Sequence, residues 1–141
     1  MSQYVHSTIR CAVLLSVIGC APEPDYTVSD GIYVFHFHLK GAKSDAPYRS
    51  SDEEYQLRFA EDGSIEFLDL QGRKQRYRGT MNDNQVELTY NFEGMKLQGT
   101  GAVTGDDRME GSITGKLLEV NDNSTRYRQV FEAEWSLVKK Q

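Results

Sequence analysis

Between Ile32 and Leu137, in segments separated by turns, apolar side chains recur at every second position, and this alternation constrains the fold more than any other feature of the chain. Successive side chains of a β-strand point to opposite faces, so a period of two marks strands with one face in a core and the other in water. Tyr33, Phe35, Phe37 and Leu39 share one face of a first strand, Ile32 to Lys40. Tyr55, Leu57 and Phe59 do the same between Glu54 and Ala60, and Ile65 and Phe67 follow in a third strand. The phase then breaks at Leu68 and Leu70, which predicts a bulge. A fourth strand, Lys74 to Thr80, turns Tyr77 inward; a fifth carries Val86, Leu88, Tyr90 and Phe92; a sixth carries Met95, Leu97 and Val103. Met109, Ile113 and Leu117 belong to a seventh, and Tyr127, Phe131, Ala133, Trp135 and Leu137 to an eighth. Between them lie turn signals: Asp62-Gly63, Gln71-Gly72, Asn82-Asp83-Asn84, Glu93-Gly94, Gly105-Asp106-Asp107 and the polar run Asn121 to Thr125.

Strands joined mostly by tight turns form a meander, and a meander this long exposes two edges unless it closes on itself. The expected fold is therefore all-β: an eight-stranded antiparallel up-and-down meander closed into a barrel over residues 31–141. A two-sheet β-sandwich is the alternative, since it uses the same alternation. All the aromatics except Tyr4, Tyr26 and Tyr48 fall on the inward phase, which points to a substantial core. At 141 residues the chain suits one domain, and its net charge of −5 argues against a nucleic-acid partner.

Upstream of the alternation the sequence has a different character. Met1 to Arg10 is polar, and Cys11 to Gly19 is a short apolar run. A spanning helix needs about 20 apolar residues, so this run has the length of a signal-peptide core. It ends in Val17-Ile18-Gly19-Cys20, which resembles the lipobox of bacterial lipoproteins. The resemblance implies removal of residues 1–19, acylation of Cys20 and a lipid-anchored place in the bacterial cell envelope. Ala21 after the Cys, rather than Asp, implies sorting to the outer membrane. Residues 20–30, with Pro22 and Pro24, are expected to be a lipidated tether. No Cys follows Cys20, so the exported domain must stand on its core without a disulfide.

Gly31-Ile32-Tyr33 at the start of the first strand, the eight-strand meander and a long first connection, Gly41 to Glu53, together resemble the lipocalins and the wider calycin group. That resemblance implies a barrel architecture; Tyr33 stands where those families carry a Trp.

Several residues are candidates for chemistry. Inward Tyr55, Tyr77, Tyr90 and Tyr127, with Trp135, would give a ligand an apolar wall with polar handles. Gly99, Gly101, Gly111 and Gly115 lie on the inward phase of neighbouring strands. They leave either a hollow or room for large rings from the opposite wall, such as Phe35, Phe59 and Phe67. His36 and His38 share the outward face of the first strand and could begin a metal site, but no further His follows to complete it. Arg73, Lys74, Arg76 and Arg78 form a cationic stripe, with Arg78 expected opposite Glu87; Arg126 and Arg128 flank Tyr127. There is no Gly-x-Ser-x-Gly, phosphate loop or free Cys nucleophile after residue 20, so neither an enzyme nor a cofactor is expected. The expected function is a filled barrel acting through its outer surface on an envelope protein, as an interaction or inhibitor module. The alternative is a carrier of a small apolar or amphipathic ligand in the barrel mouth.

Overall fold

Alternation becomes strand wherever the expected phase holds for five residues or more. The computed structural model describes residues 3–6, 25–40 and 50–141, and none of these is helical. The strands are β1 (Gln3–His6), β2 (Tyr26–Ser29), β3 (Gly31–Lys40), β4 (Ser51–Phe59), β5 (Ser64–Leu68), β6 (Lys74–Asn82), β7 (Gln85–Phe92), β8 (Met95–Gly105), β9 (Arg108–Asn121) and β10 (Ser124–Lys139). β3 to β10 form a closed barrel in which each strand pairs antiparallel with the next and β10 returns to pair with β3. Closure removes the exposed edges that an open meander would present, and it rules out the two-sheet sandwich.

The turns have the expected chemistry. Phe92 pairs with Met95 across Glu93-Gly94, and both turn residues have positive φ, 45° and 79°, the two-residue geometry whose twist matches a hairpin. The phase break at Leu68 is a real register shift between Glu66 and Leu68 on β5. It buries Phe67 and Leu68 in succession and leaves Leu70 exposed in the following turn. One register differs from expectation. The β6–β7 loop is only Asp83-Asn84, so Thr80 lies opposite Glu87 and Arg78 opposite Thr89.

The odd-numbered positions of β3 and β4 meet the inward side chains of the other strands in one core. Tyr33, Phe35, Leu57, Phe59, Phe67, Leu88, Met109, Ile113 and Leu137 are each no more than 2% exposed. Fully burying a residue of this kind contributes about 1.5–3 kcal/mol, so this core can stand without a disulfide.

Tyr26–Ser29 does not behave as tether. β2 lies against the barrel end that holds the β8–β9 turn, and Val28 is fully buried there. Asp106 Oδ1 accepts from the Thr27 amide at 3.0 Å. Asp107 Oδ1 accepts from the Ser29 amide and hydroxyl, both at 2.9 Å, and from the Tyr33 phenol at 3.2 Å. Lys139 Nζ donates to Ser29 Oγ at 2.7 Å. Burial, and then the Asp107 carboxylate, push the Tyr33 phenol far above its usual range, so it remains a donor. Tyr26–Ser29 is therefore a strand docked on the barrel end, held by side chains from β3, β10 and the β8–β9 turn. β1 pairs with β2 in a separate two-stranded sheet, Gln3 opposite Ser29. Cys20 and the apolar run before it lie outside the described residues, as do residues 41–49 of the first connection.

Asp107→Ala is expected to unclasp this end. Ser29 and Tyr33 would lose acceptors in a half-buried setting, at a cost of about 1–3 kcal/mol. Amide exchange at Thr27 and Ser29 should accelerate well before the barrel strands open. Unaltered exchange at those two amides would show that Asp107 does not hold the segment.

Candidate functional site: the barrel rim and the projecting hairpin

β3 starts at the clasped end, so the turns alternate between the two ends and the opposite end, the rim, receives Asp69–Arg73, Glu93-Gly94 and the β9–β10 turn. Just inside the rim Tyr77 is the hub of the aromatic packing. Its ring centroid lies 4.8 Å from Tyr90, 5.2 Å from Phe35, 5.7 Å from Phe67 and 6.0 Å from Tyr55. Tyr77 and Tyr90 are partly buried, whereas Tyr55 is buried. The Tyr55 hydroxyl donates to the Glu53 carboxylate, and burial first, then that bond, hold its phenol far above the usual range. Arg76 places its guanidinium 3.6 Å from the centre of the Phe92 ring, over the edge of the mouth.

The four inward glycines are explained by contacts across neighbouring strands. A Cβ on Gly115 would stand 1.9 Å from the Phe131 ring, and one on Gly101 would stand 2.6 Å from the Trp135 ring. A Cβ on Gly111 would stand 2.0 Å from the Thr100 carbonyl oxygen. Gly99 faces Ile113 at 3.2 Å. The expected occupants, Phe35, Phe59 and Phe67 from the opposite wall, are therefore replaced by rings of β10, which lies beside β9. Trp135 is 2% exposed, its Nε1 donates to the Ser112 carbonyl at 3.1 Å, and its ring stacks on Phe35.

Tyr127 departs from expectation. It is 48% exposed and lies on the outside. The cause is a second bulge: the register shifts between Gln129 and Phe131, so Phe131 faces Gly115 inward while Tyr127 pairs with outward Leu118. The extra residue, Val130, inverts the phase of every side chain before it. Of the five expected wall residues, Tyr55, Tyr77 and Tyr90 gather at the rim, Trp135 lies deeper, and Tyr127 is elsewhere.

The bulge also marks the root of a projecting hairpin. Among the described residues β8 pairs with β9 only as far as Met95 opposite Leu117, and β3 pairs with β10 only as far as Lys40 opposite Glu132. Beyond those points Leu118–Asn121 and Ser124–Phe131 continue as an arm, held at its root by the Leu118 amide on the Gly94 carbonyl at 2.8 Å. The arm has two unlike faces. Leu118, Val120 and Tyr127 share the face that continues the outer wall, with Val120 72% exposed and Lys96 Nζ 5.7 Å from the Tyr127 ring centre. Glu119, Arg126 and Arg128 share the other; Arg126 Nε lies 3.3 Å from Glu119 Oε2, and Arg128 also bonds Glu119. These contacts, that of Arg128 first, hold the Glu119 carboxyl below the usual carboxylate range. Leu118 and Val120 carry a sequence signal that the inward-phase reading passes over: two apolar residues on the outward phase of a strand.

His36 and His38 are exposed on the outer wall. His36 Nδ1 hydrogen-bonds Asp52 Oδ1 at 2.6 Å, and a depression of about 430 Å³ beside the pair is lined by Arg108, Glu110 and Glu134. Among the described residues no three His, Cys, Asp or Glu side chains gather as metal ligands. The cationic stripe is largely partnered: Arg73 with Asp69 at 2.7 Å, Lys74 with Glu66 at 3.7 Å, and Arg76 with Phe92.

The chain matches no protein-family model, no curated protein and no solved structure.

Proposed function

We propose that this protein is a small lipid-anchored protein of the bacterial cell envelope, sorted to the outer membrane, whose solid barrel works through its outer surface as an interaction or inhibitor module. The observation that carries this reading is the occupied interior. The space left by Gly101 and Gly115 is taken by Trp135 and Phe131, so the chemistry on offer lies outside. The reading involves no catalysis, cofactor or nucleic acid; the partner is a protein.

Anchoring orients the surface. Acyl chains on Cys20 would hold the chain at the bilayer, each buried CH₂ contributing about 0.8 kcal/mol. Because the clasp includes Tyr26, Cys20 is tied to it by a few residues that reach at most about 18 Å to Asp25 even when fully extended, half of what a tether through residue 30 allows. The clasped end then sits near the headgroups, and the rim and arm point away from them. A second reading, a carrier of a small apolar ligand, draws on the partial exposure of Tyr77 and Tyr90 at the mouth.

One variant tests both. Cys20→Ser should leave uncleaved precursor or move the protein from the membrane to the soluble fraction. Purified without detergent, it should show in native mass spectrometry only the mass of the chain. Unchanged fractionation and mature mass would defeat the anchor. A stoichiometric bound small molecule would defeat the solid-barrel reading in favour of the carrier.

A further inference from the structure

We propose that the arm binds its partner by strand addition: the edge of β10 from Ser124 to Val130 accepts an extended segment of another protein in which acidic and apolar residues alternate. The inference rests on the arm being the interaction surface, and it names the partner's chemistry. Three observations support it. Among the described residues, this stretch of β10 pairs only with β9, whereas from Glu132 onward β3 takes its other side. A strand paired on one side presents alternate N–H and C=O groups on the other, which is the template that β-addition uses. The bulge beside Val130 sets the arm apart from the closed wall, as bulges at barrel rims do.

The two faces then dictate the partner's side chains. Arg126 and Arg128 project from one face and share a single carboxylate, Glu119, so among the described residues that face retains one positive charge. A neighbouring strand places residues two apart beside these two guanidiniums, and carboxylates satisfy both. The residue between them emerges on the other face, beside Tyr127 and the exposed Leu118 and Val120, where an aromatic or branched apolar side chain covers them. A second copy fits poorly. Antiparallel pairing of two β10 edges about Tyr127 would set Arg126 of each against Arg128 of the other, and like charges directly opposite destabilise a ladder.

The test uses the full chain carrying Cys20→Ser, purified without detergent, with isotope-labelled amides. The probe is the capped peptide Thr-Glu-Phe-Glu-Ile-Glu-Thr. The controls are the same peptide with Lys for each Glu, and one with alternate backbone amides methylated. Strand addition expects shift changes centred on Ser124–Val130, at least tenfold tighter binding of the Glu peptide than of the Lys peptide, and loss of binding on methylation. Arg126→Gln with Arg128→Gln should abolish the preference for Glu while leaving the barrel spectrum unchanged. Equal binding of both peptides, shifts confined to the rim or outer wall, or protection in the free protein of those amides of Ser124–Val130 that face away from β9 would each overturn it. A chain that carries no small molecule yet ignores the Glu peptide overturns strand addition alone; a chain that carries one overturns the interaction reading as well.

Discussion

Gly111→Ala is expected to cost more stability than any other single-methyl addition at the inward glycines, on the order of 3 kcal/mol or more, beyond the usual overpacking range of about 1–3 kcal/mol. The reason is what the methyl group meets. At Gly111 the obstacle is backbone: the Thr100 carbonyl oxygen at 2.0 Å and the Gly101 Cα at 2.5 Å, where β8 and β9 cross closely. No rotamer change relieves that contact; the strands must separate, and in a closed barrel separation breaks the ladder on both sides. At Gly115 the obstacle is the Phe131 ring at 1.9 Å, a side chain that a second substitution can shorten. Gly115→Ala should therefore be destabilising alone and substantially rescued by Phe131→Leu, whereas Gly111→Ala should gain nothing from that change. Gly99→Ala, tight only against Ile113 at 3.2 Å and the Ser112 carbonyl at 3.3 Å, should be the mildest. Urea unfolding followed by circular dichroism gives the order. Equal, small losses at all these glycines would mean that the wall is looser than its geometry indicates, and would reopen the barrel as a container.

How much of this was legible depends on whether burial was decided locally. Tyr33, Phe35 and Phe37 reveal their strand because a half-buried strand must alternate, and the closed barrel follows once eight such strands are joined by tight turns. The bulge at Leu68 is legible for the same reason, since two successive apolar residues cannot both face inward without one. The bulge at Val130 carries the same mark, Val130-Phe131 in succession, but the flanking aromatics mask it. Tyr127 and Phe131 share a parity and both are aromatic, so the alternation reads straight through the inserted residue while the backbone inverts. The arm was hidden with it, because its apolar residues occupy the phase expected to be wet. Tyr26–Ser29 was illegible for another reason. Four residues are too few for a period, and what holds Ser29 is Asp107, nearly eighty positions along the chain, while Val28 joins the barrel core. The glycines were legible as missing side chains, but which ring fills each space depends on the register of β10 on β9, which sets Phe131 opposite Gly115 and Trp135 opposite Gly111.

Trp135→Ala is expected to cost about 3–5 kcal/mol, toward the upper end because the site cannot collapse. The ring is 2% exposed, stacks on Phe35 with centroids 6.5 Å apart, and anchors its Nε1 on the Ser112 carbonyl at 3.1 Å. It fills the space beside Gly101, and truncation leaves that wall with no side chain to fall inward. The gap cannot be refilled from Gly101 either, since a Cβ there would also stand 2.3 Å from the Glu110 carbonyl oxygen. Trp135→Ala with Gly101→Val should thus be no more stable than Trp135→Ala alone. Trp135→Phe keeps part of the ring but loses the indole donor, and should fall between the wild type and Trp135→Ala. Trp135 is the only tryptophan, so unfolding of the variants must be followed by far-ultraviolet circular dichroism rather than emission. The wild-type emission maximum supplies an independent reading and should be that of a tryptophan shielded from water. A loss below about 1 kcal/mol for Trp135→Ala, or a solvent-exposed emission maximum, would place the indole outside the core, and the occupied interior on which the surface-acting reading depends would fall with it.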